Sequence, residues 1–444
     1  MILAKSREKG EITLKNHISN LLQQSEELLA LFSQSSQNNL KKLLTLAIVF
    51  HDLGKVLPYY QRKVFKNENY WERPPQYIPH SLLSLFWIDI DKLFSELGEA
   101  DAKLVLTATA FHHWRENFFQ LLLKGDENLK SVLSFLIEEK NCQQFEINLK
   151  EELNEWADYI KFNKELAQGI INGLSLLDTK LIPPPYLTYF LPQRIEIPEE
   201  SKKRQILITG LLQRIDGFAS FLEEDKSKGE IEIRNIPYNE IKERVLREIQ
   251  RSSNTNLTER DIWQFQKVKP NENLLLIAPT GYGKTEFAFL WANGQKMLYT
   301  LPLRVAVNQI FQRAKRIFSE GKIGILHSDA DLYLLKEKRG LEEGIRTYEI
   351  SKHLSYPNTI ATGDQFFPSA LKYPTYEKIY ATLSYSHLVI DEVQAYDPRA
   401  CAIIVKLLED ITRLGGKFLL MTATLPEFVR KEIESRCQDV NYQL

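Results

Sequence analysis

Cysteine is scarce in this 444-residue chain, and that scarcity narrows the chemistry. Cys142, Cys401 and Cys437 stand far apart and form no Cys-x-x-Cys pair. The spacing argues against a disulfide framework, a zinc ribbon and an iron–sulfur cluster, and it fits a reducing, cytoplasmic setting. Long apolar runs are missing as well. No stretch is long enough to span a membrane, and the opening MILAKSREKGEITLKNH lacks the apolar core of a secretion signal. Net charge is also nearly absent, with 57 basic residues against 58 acidic ones. Any nucleic-acid binding must therefore come from local basic patches. No internal repeat or low-complexity tract is visible.

The length predicts two or three domains. Up to about residue 225 the chain reads as helical. In LKKLLTLAIVFHDLGK, Leu43, Leu44, Ala47 and Phe50 recur at helical spacing, and similar patterns cover 81–97, 102–123, 128–139 and 202–223. The Pro-rich IPPPY at 182–186 reads as a loop within this domain. Residues 226–258 are rich in charge and predict a linker, with one short exposed helix. From 259 to 444 short apolar strands alternate with helices, which predicts an α/β domain with a mainly parallel sheet.

The second half carries the denser signal. A buried-strand run, Leu274–Ala278, leads into A-P-T-G-Y-G-K-T at 278–285. Gly281 and Gly283 allow the backbone, with Thr280 and Tyr282, to wrap phosphates with its N–H groups at a helix N-terminus. Lys284 is placed to reach the β- and γ-phosphates of ATP, and Thr285 to ligate magnesium. The strand HLVID ends in Asp391 and Glu392, where a parallel sheet presents ligands. Asp391 is expected to hold magnesium through water, and Glu392 to polarise the attacking water. Thr422-Ala423-Thr424 follows another apolar strand. Over 259–444 the chain resembles superfamily two helicases. The resemblance places Pro302, Arg304, Thr362 and Gly363 where that superfamily grips a phosphate backbone, and it offers Gln264 as an adenine-recognising residue.

The first half holds a sparser constellation. His17, His51, Asp52, His80, the pair His112-His113 and Asp216 all lie in helical sequence among apolar neighbours. Imidazoles and carboxylates in that setting suit transition metals that bind phosphate oxygens and activate water. Lys55, three residues after Asp52, is expected on the same helix face, where it can steady a phosphate. Taken singly, a histidine on an apolar helix face is more often a core residue than a ligand. Adjacent residues on a helix also diverge, so His112 and His113 are not expected to face one point.

The order His17, His51-Asp52, His80, His112-His113, Asp216 looks like the HD nuclease of type I CRISPR systems. Fused to a superfamily two core, it resembles the CRISPR-associated helicase–nucleases, across essentially the whole chain. The resemblance implies that the seven residues bind two divalent metals, with manganese, iron, cobalt and nickel all compatible. It further implies cleavage of single-stranded DNA, 3′-to-5′ translocation driven by ATP and Mg, and recruitment by an RNA-guided surveillance complex. In DEVQ, Gln394 stands where many relatives have His, and both can donate a hydrogen bond. Thr424 lies about twenty residues before Leu444, so no second RecA-like domain follows within these residues. That domain normally brings an arginine finger, worth roughly 10³–10⁵ in rate in comparable NTPases. The isolated chain is therefore expected to cut DNA but to hydrolyse ATP weakly and not to unwind, unless a separate chain supplies the missing half. Two alternatives remain: a phosphohydrolase of small nucleotides with a regulatory P-loop half, and a non-catalytic, ATP-responsive single-strand clamp.

Overall fold

The strand and helix runs of the second half build one parallel sheet covered by helices. The structure, a computed structural model, describes all residues except 6–10, 65, 67–76, 116–117, 124–125, 177–180, 189–196, 338–339, 438–439 and 444. It divides into two compact units, one of residues 1–229 with 372–378, the other of 230–371 with 379–444. No described helix is long and apolar enough to cross a membrane.

The second unit holds strands β1 (Asn273–Ile277), β2 (Met297–Leu301), β3 (Ile323–Leu326), β4 (Asn358–Thr362), β5 (His387–Asp391), β6 (Lys417–Thr422) and β7 (Val440–Gln443). Their order is β3-β4-β2-β5-β6-β1-β7, and every pairing is parallel. Strands β2 to β5 are buried at every position, as expected where helices cover both faces of a sheet. The register pairs Ile277 with Thr422 and Asp391 with Met421, so β1, β5 and β6 end at one edge. Leu301 pairs with Thr362, which brings the ends of β2 and β4 to the same edge.

The first unit is helical. Leu43, Leu44, Ala47 and Phe50 are buried along the helix Gln34–Phe50, as their spacing predicts. The longest helix, Glu199–Asp225, places Asp216 and Glu223 two turns apart on one face. Residues 182–184 are irregular, and a four-residue helical turn, Pro185–Thr188, follows them.

The charged stretch 226–258 departs from the expected linker. Residues Tyr238–Ser253 form a four-turn helix, and its Ile241 and Val245 are buried in the core of the second unit beside Phe287 and Trp291. The charges occupy the other faces, where Arg244 pairs with Glu240 and Arg316 with Glu248. Tyr238 and Ile249 of the same helix pack against that core too, so one apolar stripe docks an otherwise polar segment.

Candidate metal centre and nucleotide site

In the first unit, helix ends aim the imidazoles. His51 and His112 both follow the last residue of a helix, and each Nδ1 bonds a carbonyl three residues back: Ile48 O at 2.6 Å and Thr109 O at 2.8 Å. These are carbonyls of the last helical turn. With Nδ1–H donating there, Nε2 is left as the lone-pair nitrogen. His17 is held the same way by the Glu223 carboxylate, 3.0 Å from its Nδ1.

All seven residues then converge. His80 Nε2 lies 3.1 Å from Asp52 Oδ1, and His51 Nε2 lies 3.2 Å from Asp52 Oδ2. His17 Nε2 is 3.4 Å from Asp216 Oδ1 and 3.6 Å from Asp52 Oδ2, and His113 Nε2 is 3.3 Å from Asp216 Oδ2. Three ligand groups form: His17, His51 and Asp52; His51, His112 and Asp216; His80, His112 and His113. Within each, the candidate ligand atoms lie within 4.8 Å of one another. The Nε2 atoms of His17, His51, His80 and His112, with Asp52 Oδ1, are buried without a hydrogen-bond partner. Buried polar atoms left unpaired are costly, and here they all belong to residues of the three ligand groups. The donor set and the unpaired atoms both fit bound divalent metal.

His112 and His113 correct the expectation of divergence. The helix ends at Phe111, so the pair is not constrained by helical geometry, and the two rings stand 4.3 Å apart. Both join His80 in one ligand group. Lys55 falls on the side of Asp52, as its spacing predicts, although the backbone there is a 3₁₀ turn. Asp52 precedes a short 3₁₀ turn, and Lys55 Nζ sits 2.5 Å from Asp52 Oδ2 within that turn. The glycine of HDLGK has a steric reason. A Cβ on Gly54 would lie 2.2 Å from His80 O, so only glycine lets this turn approach the helix bearing His80.

Charge states in this cluster are set by burial against pairing. Burial pushes His80 down to about 4, in spite of Asp52 beside it, and holds His112 well below its usual value. Burial lowers His113 as well. His17 goes the other way: burial opposes its charge, but Asp216, Glu223 and Asp52 outweigh it and raise the group to about 9. Burial alone would raise Asp52, yet the neighbouring His51 and Lys55 hold it well below the carboxylate range. Asp216 is likewise held low against burial, by the neighbouring His17 and His113. Ionised carboxylates and mostly neutral imidazoles are the forms that ligate metal.

In the second unit the loop after β1 is tight. Gly281 and Gly283 take φ of 82° and 80°, the left-handed region that suits glycine. The next helix, Lys284–Trp291, starts at the loop and buries Lys284 and Thr285, while Thr280 and Tyr282 are exposed. Lys284 Nζ donates to Ala278 O at 3.1 Å and lies 3.5 Å from Glu392 Oε1. Tyr299 on β2 donates its hydroxyl to Asp391 Oδ2 at 2.6 Å. Burial raises Asp391 to about 6. Glu392 adopts a left-handed φ of 56°, uncommon for a side-chain-bearing residue and of the kind that clusters at functional sites. Gln394 bonds both Glu392 and Thr422, and Thr422 Oγ1 bonds Thr424 O at 2.6 Å. Asp391-Glu392 is thus wired to Thr422-Ala423-Thr424 through side chains.

The remaining expected residues are placed as follows. Gln264 is buried, and its amide donates to Tyr282 O at 3.2 Å and Gly283 O at 3.3 Å, so it grips the phosphate loop itself. Trp263, which sequence reasoning missed, stacks on Tyr282 and Phe287. Pro302 and Arg304 follow β2, and Thr362 and Gly363 follow β4 at the same edge. Arg304 pairs with Asp329 and with Ser328 Oγ, the latter at 3.1 Å. Gly363 packs so close to Phe367 that a Cβ would lie 2.3 Å from its ring.

Glu223 and Tyr299 also escaped the sequence reading. Glu223 lies seven residues after Asp216, two turns on the same helix, and that spacing was the available signal. Tyr299 had none, because its role depends on β2 and β5 being neighbours.

Known proteins share both halves of this arrangement. Residues 9–216 match the family described as Cas3, HD domain, and residues 260–432 match the DEAD/DEAH box helicases. A CRISPR-associated nuclease/helicase Cas3 of Methanothermobacter thermautotrophicus is 27% identical over 484 residues, covering 98% of this chain and 55% of the relative. A putative CRISPR-associated nuclease/helicase Cas3 of Methanocaldococcus jannaschii is 25% identical over 410 residues, covering 86% and 54%. The crystal structure of T. fusca Cas3 shares the fold, with a TM-score of 0.61 at 15% identity over 98% of this chain and 51% of that one. The chain spans about half the length of these relatives.

Proposed function

Because it joins a Cas3 HD domain to a DEAD/DEAH box helicase domain, the chain belongs to the CRISPR-associated helicase–nucleases, and from that premise we propose that its first unit cuts single-stranded DNA. One observation carries this reading: four buried imidazole Nε2 atoms and a carboxylate oxygen, all without hydrogen-bond partners, belong to residues of three overlapping ligand groups. His17, His51, Asp52, His80, His112, His113 and Asp216 would hold two divalent transition metals. When bound, such metals polarise a phosphate oxygen and generate a water nucleophile near neutral pH.

The chain's own residues do the rest. Glu223, Ile48 O and Thr109 O keep three imidazoles turned inward, so no rotamer has to be found when metal binds. Asp52 turns one oxygen to His80 and the other to His51, and would be among the residues that hold the metals. Lys55, beside Asp52, would hold a phosphate oxygen of the DNA. Manganese, iron, cobalt and nickel all suit these ligands.

The second unit we read as the first RecA-like domain of an ATP-driven, 3′-to-5′ translocase. Backbone N–H groups around Gly281 and Gly283, with Lys284, would take the phosphates of ATP, and Thr285 and Asp391 would take Mg. Glu392 orients the attacking water, and Gln394 relays its position to Thr422. Arg304 and the Thr362-Gly363 turn lie at the same sheet edge for the DNA backbone. The described residues hold a single such sheet. On these residues alone we expect weak turnover of ATP and no unwinding. An RNA-guided surveillance complex is the proposed partner that delivers the displaced strand.

The test is nicking of circular single-stranded DNA with manganese, nickel or EDTA, by wild type and Asp52→Ala. Nicking that needs metal and vanishes in the variant supports the nuclease. No nicking with any metal, alongside release of phosphate from mononucleotides, would overturn it.

A further inference from the structure

Beside the metal centre lies an aromatic group with no role in holding metal. Tyr59, Tyr60 and Tyr77 pack with ring centroids 4.9 to 5.9 Å apart. Tyr60 is buried and anchored: its hydroxyl donates to Ile78 O at 3.0 Å and accepts from the His80 N–H at 2.8 Å. Its ring meets the His80 ring edge-on at 5.4 Å. Tyr60 therefore fixes the cluster to a metal-ligand histidine. The outer two rings differ. Tyr59 is half-buried, and Tyr77 is 39% exposed. Tyr59 also begins a π-helical turn, Tyr59–Val64, a conformation rare in proteins and frequent at functional sites.

We propose that Tyr59 and Tyr77 form a nucleobase-stacking subsite, which holds one base of a single-stranded DNA substrate while its phosphate lies at the metal centre. The proposal rests on the nuclease reading above. A phosphate at a site so deeply buried needs an extended strand, and an extended strand has unstacked bases that must find a partner. Aromatic faces supply it without regard to sequence, because every base has a π-face. A paired duplex has no base free to stack, so the subsite also favours single strands. The path from His80 through Tyr60 to Tyr77 is two ring contacts long, on the scale of one nucleotide.

The experiment is manganese-dependent cleavage of end-labelled single strands that carry one abasic residue at successive positions. Wild type, Tyr77→Ala, Tyr59→Ala and the two Phe variants are compared, and bound metal is measured in each. The wild type is expected to cut poorly, by about tenfold, when the abasic residue falls at one fixed offset from the cut. The Ala variants are expected to cut intact DNA about tenfold less efficiently through weaker binding, to retain their metal, and to lose the offset effect. The Phe variants keep both the efficiency and the offset. A flat abasic profile in a wild type that cuts, or an offset effect unchanged in the Ala variants, would overturn the subsite and leave the nuclease standing. A wild type that never cuts would bring down the nuclease reading and the subsite together.

Discussion

The two sites solve the problem of waiting for a charged ligand in opposite ways. In the first unit the polar atoms are gathered in overlapping ligand groups and left unpaired, with the other ends of His17, His51 and His112 fixed by Glu223 and two helix carbonyls. In the second the polar groups satisfy one another: Lys284 bonds a loop carbonyl, Asp391 a tyrosine, and Glu392 a glutamine that also holds Thr422. The first arrangement is costly without metal but needs no movement when metal arrives. The second is stable by itself and must exchange partners to take a nucleotide. A constant metal centre suits the former, and a cycle of ATP binding and release suits the latter.

The sharpest way to break this comparison is to remove the group on which each site turns. Asp52→Ala is expected to take DNA nicking below detection and leave fluorescent-nucleotide binding unchanged, while Lys284→Ala does the reverse. Loss of both activities in either variant would mean that the sites are not separate. A smaller effect is expected at Glu223. Glu223→Ala should weaken metal retention about 10–100-fold, measured by elemental analysis after dialysis against a chelator, with Glu223→Gln intermediate. Retention unchanged in the Ala variant would show that His17 needs no carboxylate to be aimed. In the second unit, Tyr299→Phe removes a buried bond to Asp391 and should cost roughly tenfold in Mg-dependent nucleotide affinity, with Mg-free binding unaltered.

The smallest effect concerns pH. Glu377 is buried in the first unit near Tyr186 and Tyr376, and burial raises it from 4.5 to about 8. The folded chain then binds a proton that the unfolded chain releases. Glu377 contributes its stability fully below pH 4.5, and that contribution is lost as pH rises through about 8. Glu377→Gln should therefore melt roughly 2–4 °C higher than wild type at pH 8 and differ little at pH 5. An equal shift at both values would mean that the carboxyl does not titrate in this window.

Much of the sheet could be read from the chain because its strands are short apolar runs, each followed by a polar or turn-forming segment. Lys284 and Asp391 fall at the sheet edge for that reason. The metal ligands were legible as residue types. Their convergence was not, because it depends on where a helix stops. Phe111 ends a helix without glycine or proline after it, so His112 and His113 looked like divergent neighbours. The helix Tyr238–Ser253 was hidden by charge, which surrounds the stripe of Tyr238, Ile241, Val245 and Ile249 on its core side. Gln264 was read toward adenine, whereas a contact with the loop at Gly283 exists only once the helix Trp263–Lys267 packs beside it.

The most direct test of the account is nicking of circular single-stranded DNA by the Lys284→Ala chain, with manganese and without ATP. Nicking equal to wild type, and abolished when Asp52→Ala is added, is the expected result. Loss of nicking in Lys284→Ala alone would contradict a metal centre that is complete within its own unit.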